Sequence, residues 1–456
     1  MVFACFVVFS VTLCPQYAIL CMNTRNKLQR VTLYLAGCLL LIGCRTKTVA
    51  IPPVAPQPSP VAPVVMQTPT VEEPPVVTTQ PVQPAVIPTW EESIQASLDS
   101  LCEGPLSQTS QIGLYVFDMS SGKPLYSRNE NQRMRPASCQ KVITAVCALD
   151  LLGGDYQFRT ELRTVGNLSA GVLTGDVYVV GGMDPLFSRN DMSALATALR
   201  KSGITRINGH IYMDVSMKDD MEYGWGWCWD DDYGPLSALT VDGKADFPTL
   251  WIRALRQAGI VLSSASCTTH VCPPGSHPLK SITHSIDEVL VPMMKDSENI
   301  FAESMFQQIA ARSGNKGAGH NEAATLMADV IQRAGLHPDA YTIADGSGLS
   351  LYNYASPVLL STMLLYACQH ETIHPHFCPS LPVAGVDGTL RKRMLGTAAA
   401  GNVHAKTGTV MGVSTLTGYL QARNGHQLVF SIMNQGIEQA SQARDFQDRV
   451  CNLLCR

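Results

Sequence analysis

At 456 residues, 46% hydrophobic and 15% charged, the chain has a globular composition and is longer than one ordinary core, so two or three domains are expected. Its formal net charge is -4. With no Lys/Arg stripe interleaved with aromatics, nucleic acid is excluded as a partner.

The first element in chain order is a leader, not part of the fold. Residues Met22 to Cys44, "MNTRNKLQRVTLYLAGCLLLIGC", carry a basic start (Arg25, Lys27, Arg30). An apolar run from Val31 to Ile42 follows, too short to stay as a spanning helix. The run ends in "LIGC", which resembles a bacterial lipobox whose cysteine, here Cys44, is lipidated and becomes the first mature residue. The alternatives are a plain cleaved signal or an uncleaved anchor. Residues 1–21 read as an upstream extension, with Met22 the expected start. Nearly half of the 28 prolines then fall between Ala50 and Pro88, with no glycine or aromatic among them. Such a stretch buries no core and reads as a semi-rigid spacer, ~40 residues reaching on the order of 120 Å. Residues 1–44 are thus expected to be signal and lipobox, and 45–89 linker.

Thr89 to Glu103 reads as an amphipathic helix, and Ile112–Asp118 and Leu125–Ser127 as two strands around "MSSGK". After Pro136, Val142, Ala145, Val146 and Leu149 recur at i, i+3, i+4, i+7, predicting a helix buried on one face that stops at Gly153-Gly154. Residues 156–284 change character. Short alternating runs, many glycines and four of the five tryptophans suggest a β-rich inserted domain. Helical patterns return at Asn299–Ala311, Asn321–Ala334 and Ser356–Cys368. The chain closes with "GNVHAKTGTV", a hairpin turning at "RNG", and a helix from about Glu438 to Leu454. Two early and three late strands can close into one antiparallel sheet, giving an α+β sandwich with catalytic segments 90–155 and 285–456 around the 156–284 insertion.

Of 15 cysteines, ten lie beyond Cys44, none paired at zinc spacing, so neither a metal nor a cofactor is expected. An exported protein can oxidise some of them. Cys139 and Cys147, eight apart on one helix, cannot pair with each other.

The chemistry sits in three short motifs. Ser138 and Lys141, three apart at a helix start, share a face where the helix dipole favours developing negative charge. Pro136 argues against Ser138 as a mere N-cap, since proline takes the first helical position. A second Ser-x-x-Lys, Ser313–Lys316, runs into glycines instead of a helix. Serine chemistry also needs proton transfer to a leaving group and an oxyanion site. Ser297 and Asn299 stand just before a helix, and Lys406, Thr407 and Gly408 on or beside a strand. Taken singly, Ser297 is an ordinary N-cap and Lys406 a solvated strand end. Lys201-Ser202-Gly203 and two "SRN" triplets show how common such fragments are. In order, Ser-Lys, Ser-x-Asn and Lys-Thr-Gly make one constellation.

These motifs are those of penicillin-binding proteins and serine β-lactamases. With "RPASCQKVITAVCALDLLGG", "PLSALTVDGK", "SENIFAESMF", "DGSGLSLYNYASP" and "LPVAGVDGTLRKRMLG", the chain resembles the D-alanyl-D-alanine carboxypeptidase/endopeptidase family, the type-4 low-molecular-mass penicillin-binding proteins, over about residues 95–435. The resemblance implies a penicillin-binding-protein/serine β-lactamase-like antiparallel sheet flanked by helices, with a β-rich inserted domain. The middle motif reads Ser-Glu-Asn where Ser-Asp-Asn is usual, and the insertion looks short for the family. By the resemblance, Ser138 attacks the penultimate D-alanine carbonyl of a peptidoglycan stem peptide. Lys141 is its base, neutral through burial and the nearby Lys406. Ser297 relays a proton to the leaving amine, and Asn299 orients Lys141 and the substrate amide. Thr407 and Lys406 grip the terminal carboxylate. The N–H groups of Ser138 and Thr409 form the oxyanion hole, and strand 406–410, through Gly408, pairs with the substrate. No dedicated deacylating glutamate is apparent, so β-lactams are expected as covalent inhibitors. Asp345 to Ser350, "DGSGLS", reads as a plain turn and not as catalytic, and Asp242 is a candidate near the substrate. The expected place is the bacterial envelope, periplasmic and lipid-anchored to a membrane. The rivals are a β-lactamase or esterase on the same fold, and a non-catalytic tethered peptidoglycan-binding lipoprotein.

Overall fold

The computed structural model describes residues 88–456 apart from 229–230, 232–233 and 244–245. The leader, the lipobox at Cys44 and the proline-rich linker up to residue 87 lie outside the described residues. The described residues belong to one compact unit.

The elements begin with α1 (Trp90–Cys102), the short α2 (Pro105–Thr109), β1 (Gln111–Asp118) and β2 (Lys123–Arg128). Thr89 caps α1 through a capping box with Glu92, so two orphan donors of the first turn are satisfied reciprocally. A 3₁₀ turn, Ala137–Cys139, runs into α3 (Gln140–Leu152). Then come β3 (Gln157–Thr164), β4 (Asn167–Ser169), β5 (Val172–Thr174), β6 (Val177–Val180), α4 (Arg189–Lys201), β7 (Arg206–Asn208) and β8 (Ile211–Asp214). They are followed by α5 (Phe247–Gln257), β9 (Val261–Leu262), β10 (Cys267–Thr269) and β11 (His277–Ser285). The helices α6 (Ile286–Lys295), α7 (Asn299–Ala311), α8 (His320–Arg333), α9 (Pro357–Gln369) and α10 (His374–Ser380) precede β12 (His404–Val410), β13 (Val413–Gln421), β14 (Gln427–Gln435) and α11 (Ala440–Leu454).

The expected sheet forms, in the order β12-β13-β14-β1-β2, antiparallel throughout. The hairpin turn closes from Ala422 N to His426 O at 2.9 Å, with Gly425 supplying the positive φ of 90°. β14 is buried on both faces because two cores share it. Val429 and Met433 pack into a cluster built on α3, α6, α7, α8 and α9. Leu428, Phe430 and Ile432 pack into one with α1 and α11. The period of two sends alternate residues to opposite helical layers.

Two details differ from expectation. α3 is buried all round, with every residue from Gln140 to Leu149 inaccessible, because it is the central helix of its layer and its polar Thr144 hydroxyl donates to Gly346 O at 2.7 Å. A 3.6 pattern marks the apolar stripe but not the small and polar positions that neighbours also cover. Residues 157–285 hold a five-stranded and a four-stranded sheet, together with α4 and α5, which face a third core. This segment therefore mixes helix with strand. α4 carries a capping box of Ser188 and Asp191 within one of the "SRN" decoys.

Candidate active site

Three segments meet beneath the edge strand β12. Ser138 lies in the 3₁₀ turn leading into α3, and its N-cap position is taken by Pro136. The turn is strained: Ala137 has φ 46°, a region that non-glycine residues rarely occupy. It is held there from two sides. A Cβ on Gly348 would sit 1.9 Å from Ala137 O, so the 345–350 loop abuts the turn. On the other side, the Thr415 hydroxyl donates to Pro136 O at 2.8 Å and the Cys139 thiol donates to Lys406 O at 3.2 Å. Strain retained by such over-determined packing is typical of functional sites.

One helical turn on, Lys141 is fully buried. Its Nζ lies 3.1 Å from Ser138 Oγ, 2.6 Å from Asn299 Oδ1 and 2.9 Å from Ser347 O. Burial, then the charge of Lys406, pulls its pKa down to about 7, while Asp345 and Glu303 oppose the fall. Ser138 itself keeps partial access to solvent.

Ser297 and Asn299 come from the joint between α6 and α7. Ser297 is not the helix cap. Glu298 holds that position without a side-chain bond, and Ser297 sits at φ 66° with its Oγ accepting from Lys406 Nζ at 2.8 Å. Asn299 is the first residue of α7.

Lys406 is no solvated strand end either: it is fully buried. Its Nζ also donates to Thr407 O at 2.8 Å, and desolvation lowers its pKa to about 8. Thr407 Oγ1 donates to Thr389 Oγ1 at 2.8 Å. Gly408 lets β12 lie against the nucleophile turn, since a Cβ there would meet Thr415 Oγ1 at 2.2 Å and Pro136 O at 2.8 Å. Thr409 is exposed on the strand that ends the sheet.

Two features of the site were not assigned to it from the sequence. The 345–350 loop supplies the Ser347 carbonyl to Lys141. Asp345 organises this loop by accepting from the N–H groups of Gly348 and Ser350, at 2.8 and 2.6 Å, and from Asn353 Nδ2 and Trp227 Nε1, at 2.7 and 2.9 Å. Glu303, buried on α7, accepts from Ser347 N at 2.9 Å and Gly346 N at 3.3 Å. Burial and then Asp345 push Glu303 above the usual carboxylate range. The available signal was a glutamate in the apolar run "NIFAESMF", four residues after Asn299 and so on its face. Asp242 lines an open groove of about 470 Å³ with Pro185, Trp227, Glu298, Ile300 and Phe301. Among the described residues no cluster of His, Cys, Asp and Glu has metal-binding form. No helix among them is long and apolar enough to cross a membrane.

A sheet between two helical layers is an architecture shared with solved proteins. Penicillin-binding protein 4 of Haemophilus influenzae superposes with a TM-score of 0.72 at 23% identity, covering 79% of this chain and 99% of that one. The same protein with a bound β-lactam gives 0.66. The fold is that of the penicillin-binding proteins. In sequence, the D-Ala-D-Ala carboxypeptidase 3 (S13) family matches residues 94–246 and 235–456, and the chain belongs to that family of serine-type carboxypeptidases. A D-alanyl-D-alanine carboxypeptidase of Actinomadura sp. (strain R39) is 28% identical over 440 residues, 75% of this chain and 81% of that one. The D-alanyl-D-alanine carboxypeptidase DacB of Haemophilus influenzae is 25% identical over 409 residues, 71% of this chain and 85% of its own.

Proposed function

We propose that the chain hydrolyses the terminal D-Ala-D-Ala bond of peptidoglycan stem peptides through an acyl-enzyme on Ser138. One observation carries the reading, the bonding of Lys141 Nζ. Asn299 Oδ1 and Ser347 O can only accept, so a neutral amine spends both its N–H groups on them and turns its lone pair to the Ser138 hydroxyl. A pKa near 7 makes that neutral form available at working pH.

As Oγ bonds to the carbonyl carbon, its proton passes to Lys141. The N–H groups of Ser138 and Thr409 take the oxyanion, and Lys406 and Thr407 bind the substrate carboxylate. Ser297, already bonded to Lys406, gives its proton to the D-alanine nitrogen as the C–N bond breaks and is restored by the proton that Lys141 took from Ser138, so Lys141 is neutral again. Gly408 lets the substrate strand lie along β12 beside the serine. Asn299 keeps Lys141 aimed. Water then adds to the ester, giving its proton to Lys141, and Oγ recovers it on release. A β-lactam enters the same path and stays esterified to Ser138. Endopeptidase action needs only a different leaving amine, that of a cross-linked stem peptide.

We further propose that 90–155 with 285–456 forms the catalytic domain and 156–284 an inserted one, and that Cys44 carries lipid, tethering the enzyme in the envelope on the periplasmic side. Incubating the full chain with a fluorescent penicillin tests the catalytic reading. Wild type should label covalently and Ser138→Ala should not. Defined pentapeptide and dimeric muropeptides should then release D-alanine or open. A folded wild type that neither labels nor releases D-alanine defeats the proposal, and rapid turnover of the penicillin favours a β-lactamase. Labelled fatty acid that enters wild type but not Cys44→Ala supports the anchor.

A further inference from the structure

Lys141 has three contacts, and only two of them belong to the three motifs. The third, to Ser347 O at 2.9 Å, is backbone, and a backbone carbonyl is only as well placed as its loop. This loop is held from α7. The two oxygens of Glu303 accept separately, Oε1 from Ser347 N and Oε2 from Gly346 N. The Ser347–Gly348 peptide that turns its carbonyl to Lys141 donates its own N–H to Asp345, and Glu303 grips the two N–H groups just before it. Gly346 allows the close approach, because a Cβ there would lie 2.5 Å from Ala302 O on the preceding residue of α7. Asn299 and Glu303 are four apart on one helix, so α7 reaches Lys141 twice, once directly and once through the loop.

We propose that Glu303 is a positioning residue of the reaction: its carboxylate fixes the Ser347 carbonyl against Lys141 and offsets the positive charge that Lys141 takes on when it accepts the Ser138 proton. The proposal rests on the assignment of Lys141 as base. The two backbone N–H bonds that Glu303 accepts favour its ionised form, against the burial and the neighbouring Asp345 that push its pKa up. The charged and titratable groups facing Lys141 are Lys406 from β12, Glu303 from α7, Asp345 from the loop and Cys139 from its own turn. Glu303 also lines a small cleft with Asp345, with Asp219 and with His320 of α8. Lys406 drives the proton off Lys141, and Glu303 and Asp345 retain it. The balance sets where on the pH scale the base becomes active.

The test is the pH profile of penicillin acylation by the full chain, for wild type, Glu303→Gln and Glu303→Asp, with thermal melts at each pH. Glu303→Gln keeps size and removes charge, so the acid limb should move down by about one pH unit. Glu303→Asp keeps charge and shortens the reach to the loop, so the limb should stay while the plateau falls about tenfold or more. A limb that Glu303→Gln leaves in place, in a variant that melts as a folded protein, overturns the proposal, because a merely structural glutamate would behave so. Plateaus equal to wild type in both variants also overturn it. Infrared spectra of wild type with carboxyl-labelled glutamate give a second reading, independent of whether the variants fold. No protonated glutamate band should persist above the acid limb, and a persistent one sinks the idea. Failure of wild type to label at all would instead count against Ser138 and Lys141.

Discussion

Replacing Gly408 by alanine isolates the approach of β12 to the nucleophile turn, without touching any group assigned to proton transfer. The new Cβ would lie 2.2 Å from Thr415 Oγ1, 2.8 Å from Pro136 O and 3.0 Å from Cys139 N. Thr415 cannot simply rotate away, since its hydroxyl satisfies the buried Pro136 O, and the other two atoms are backbone. Restoring ordinary contacts of roughly 3.5 Å requires a shift approaching 1 Å between strand and turn. Overpacking of this kind costs about 1–3 kcal/mol. A displacement of about 1 Å at a reacting centre costs on the order of 100-fold in rate. The assay is second-order acylation by fluorescent penicillin, paired with thermal unfolding. Gly408→Ala should label on the order of 100-fold more slowly and melt a few degrees lower, at roughly 1–2 °C per kcal/mol for a chain of this size. Adding Thr415→Ala should recover only part of the rate, because the two backbone contacts remain. A Gly408→Ala enzyme acylating within about threefold of wild type, an effect below ~1 kcal/mol, and melting normally would refute the argument.

In wild type, acylation should rise with pH through about 7. The sign follows from burial: desolvation depresses the lysine, the folded enzyme holds a neutral amine above that pH, and only this form accepts the Ser138 proton. A flat profile between pH 5 and 9 would contradict it. Lys406→Met should move the limb upward, since Lys406 is the charge that helps deprotonate Lys141, and titration of penicillin labelling checks this. Asn299→Ala removes the 2.6 Å acceptor of Lys141 and should lower acylation by about 100-fold or more, with near-normal melting read in the same samples. Thr89→Ala deletes the capping box of α1 and should cost about 1 kcal/mol of stability while leaving the acylation rate unchanged.

The sheet was legible because its signals are local. The "RNG" turn marks β13–β14, and alternation marks β1 and β12, so five strands in two groups had one economical closure. Ser138, Lys141, Ser297, Asn299 and Lys406 were legible as an ordered set, although each was ambiguous alone. What the sequence hid is tertiary. The amphipathic reading of α3 missed its full burial, because Thr144 and Gln140 look like surface residues until Gly346 and its loop cover them. The segment read as a turn, "DGSGLS", is a run of bends held by the Asp345 side chain. Its service to Lys141 is carried by a main-chain carbonyl, and no side-chain motif advertises a carbonyl. α4 and α5 were hidden by a compositional argument that weighed glycines and short apolar runs over the Ser188–Asp191 box.

The two lysines explain why strain gathers where it does. Burying Lys141, and then a second ammonium beside it, is unfavourable for folding, yet burial first and Lys406 second are what bring the base to about 7. Each one-unit fall in pKa stands for about 1.4 kcal/mol of lost preference for the charged form, so the shift from 10.5 stands for roughly 5 kcal/mol. That penalty is present in full below pH 7 and fades as pH rises toward 10.5, where the unfolded lysine also loses its proton. A site carrying such a cost relaxes unless its walls are stiff. The walls here are the positive-φ residues Ala137 and Ser297, glycines 346, 348 and 408, where a Cβ would strike backbone, and the carboxylates Glu303 and Asp345 that pin one loop. These residues break local rules of conformation and burial together because each prevents an escape: rotation of the turn, withdrawal of the strand, or retreat of the carbonyl. Stability lost at the lysines is recovered in the fully packed layers on either side of β14, which makes the sheet the support of the chemistry as well as its scaffold.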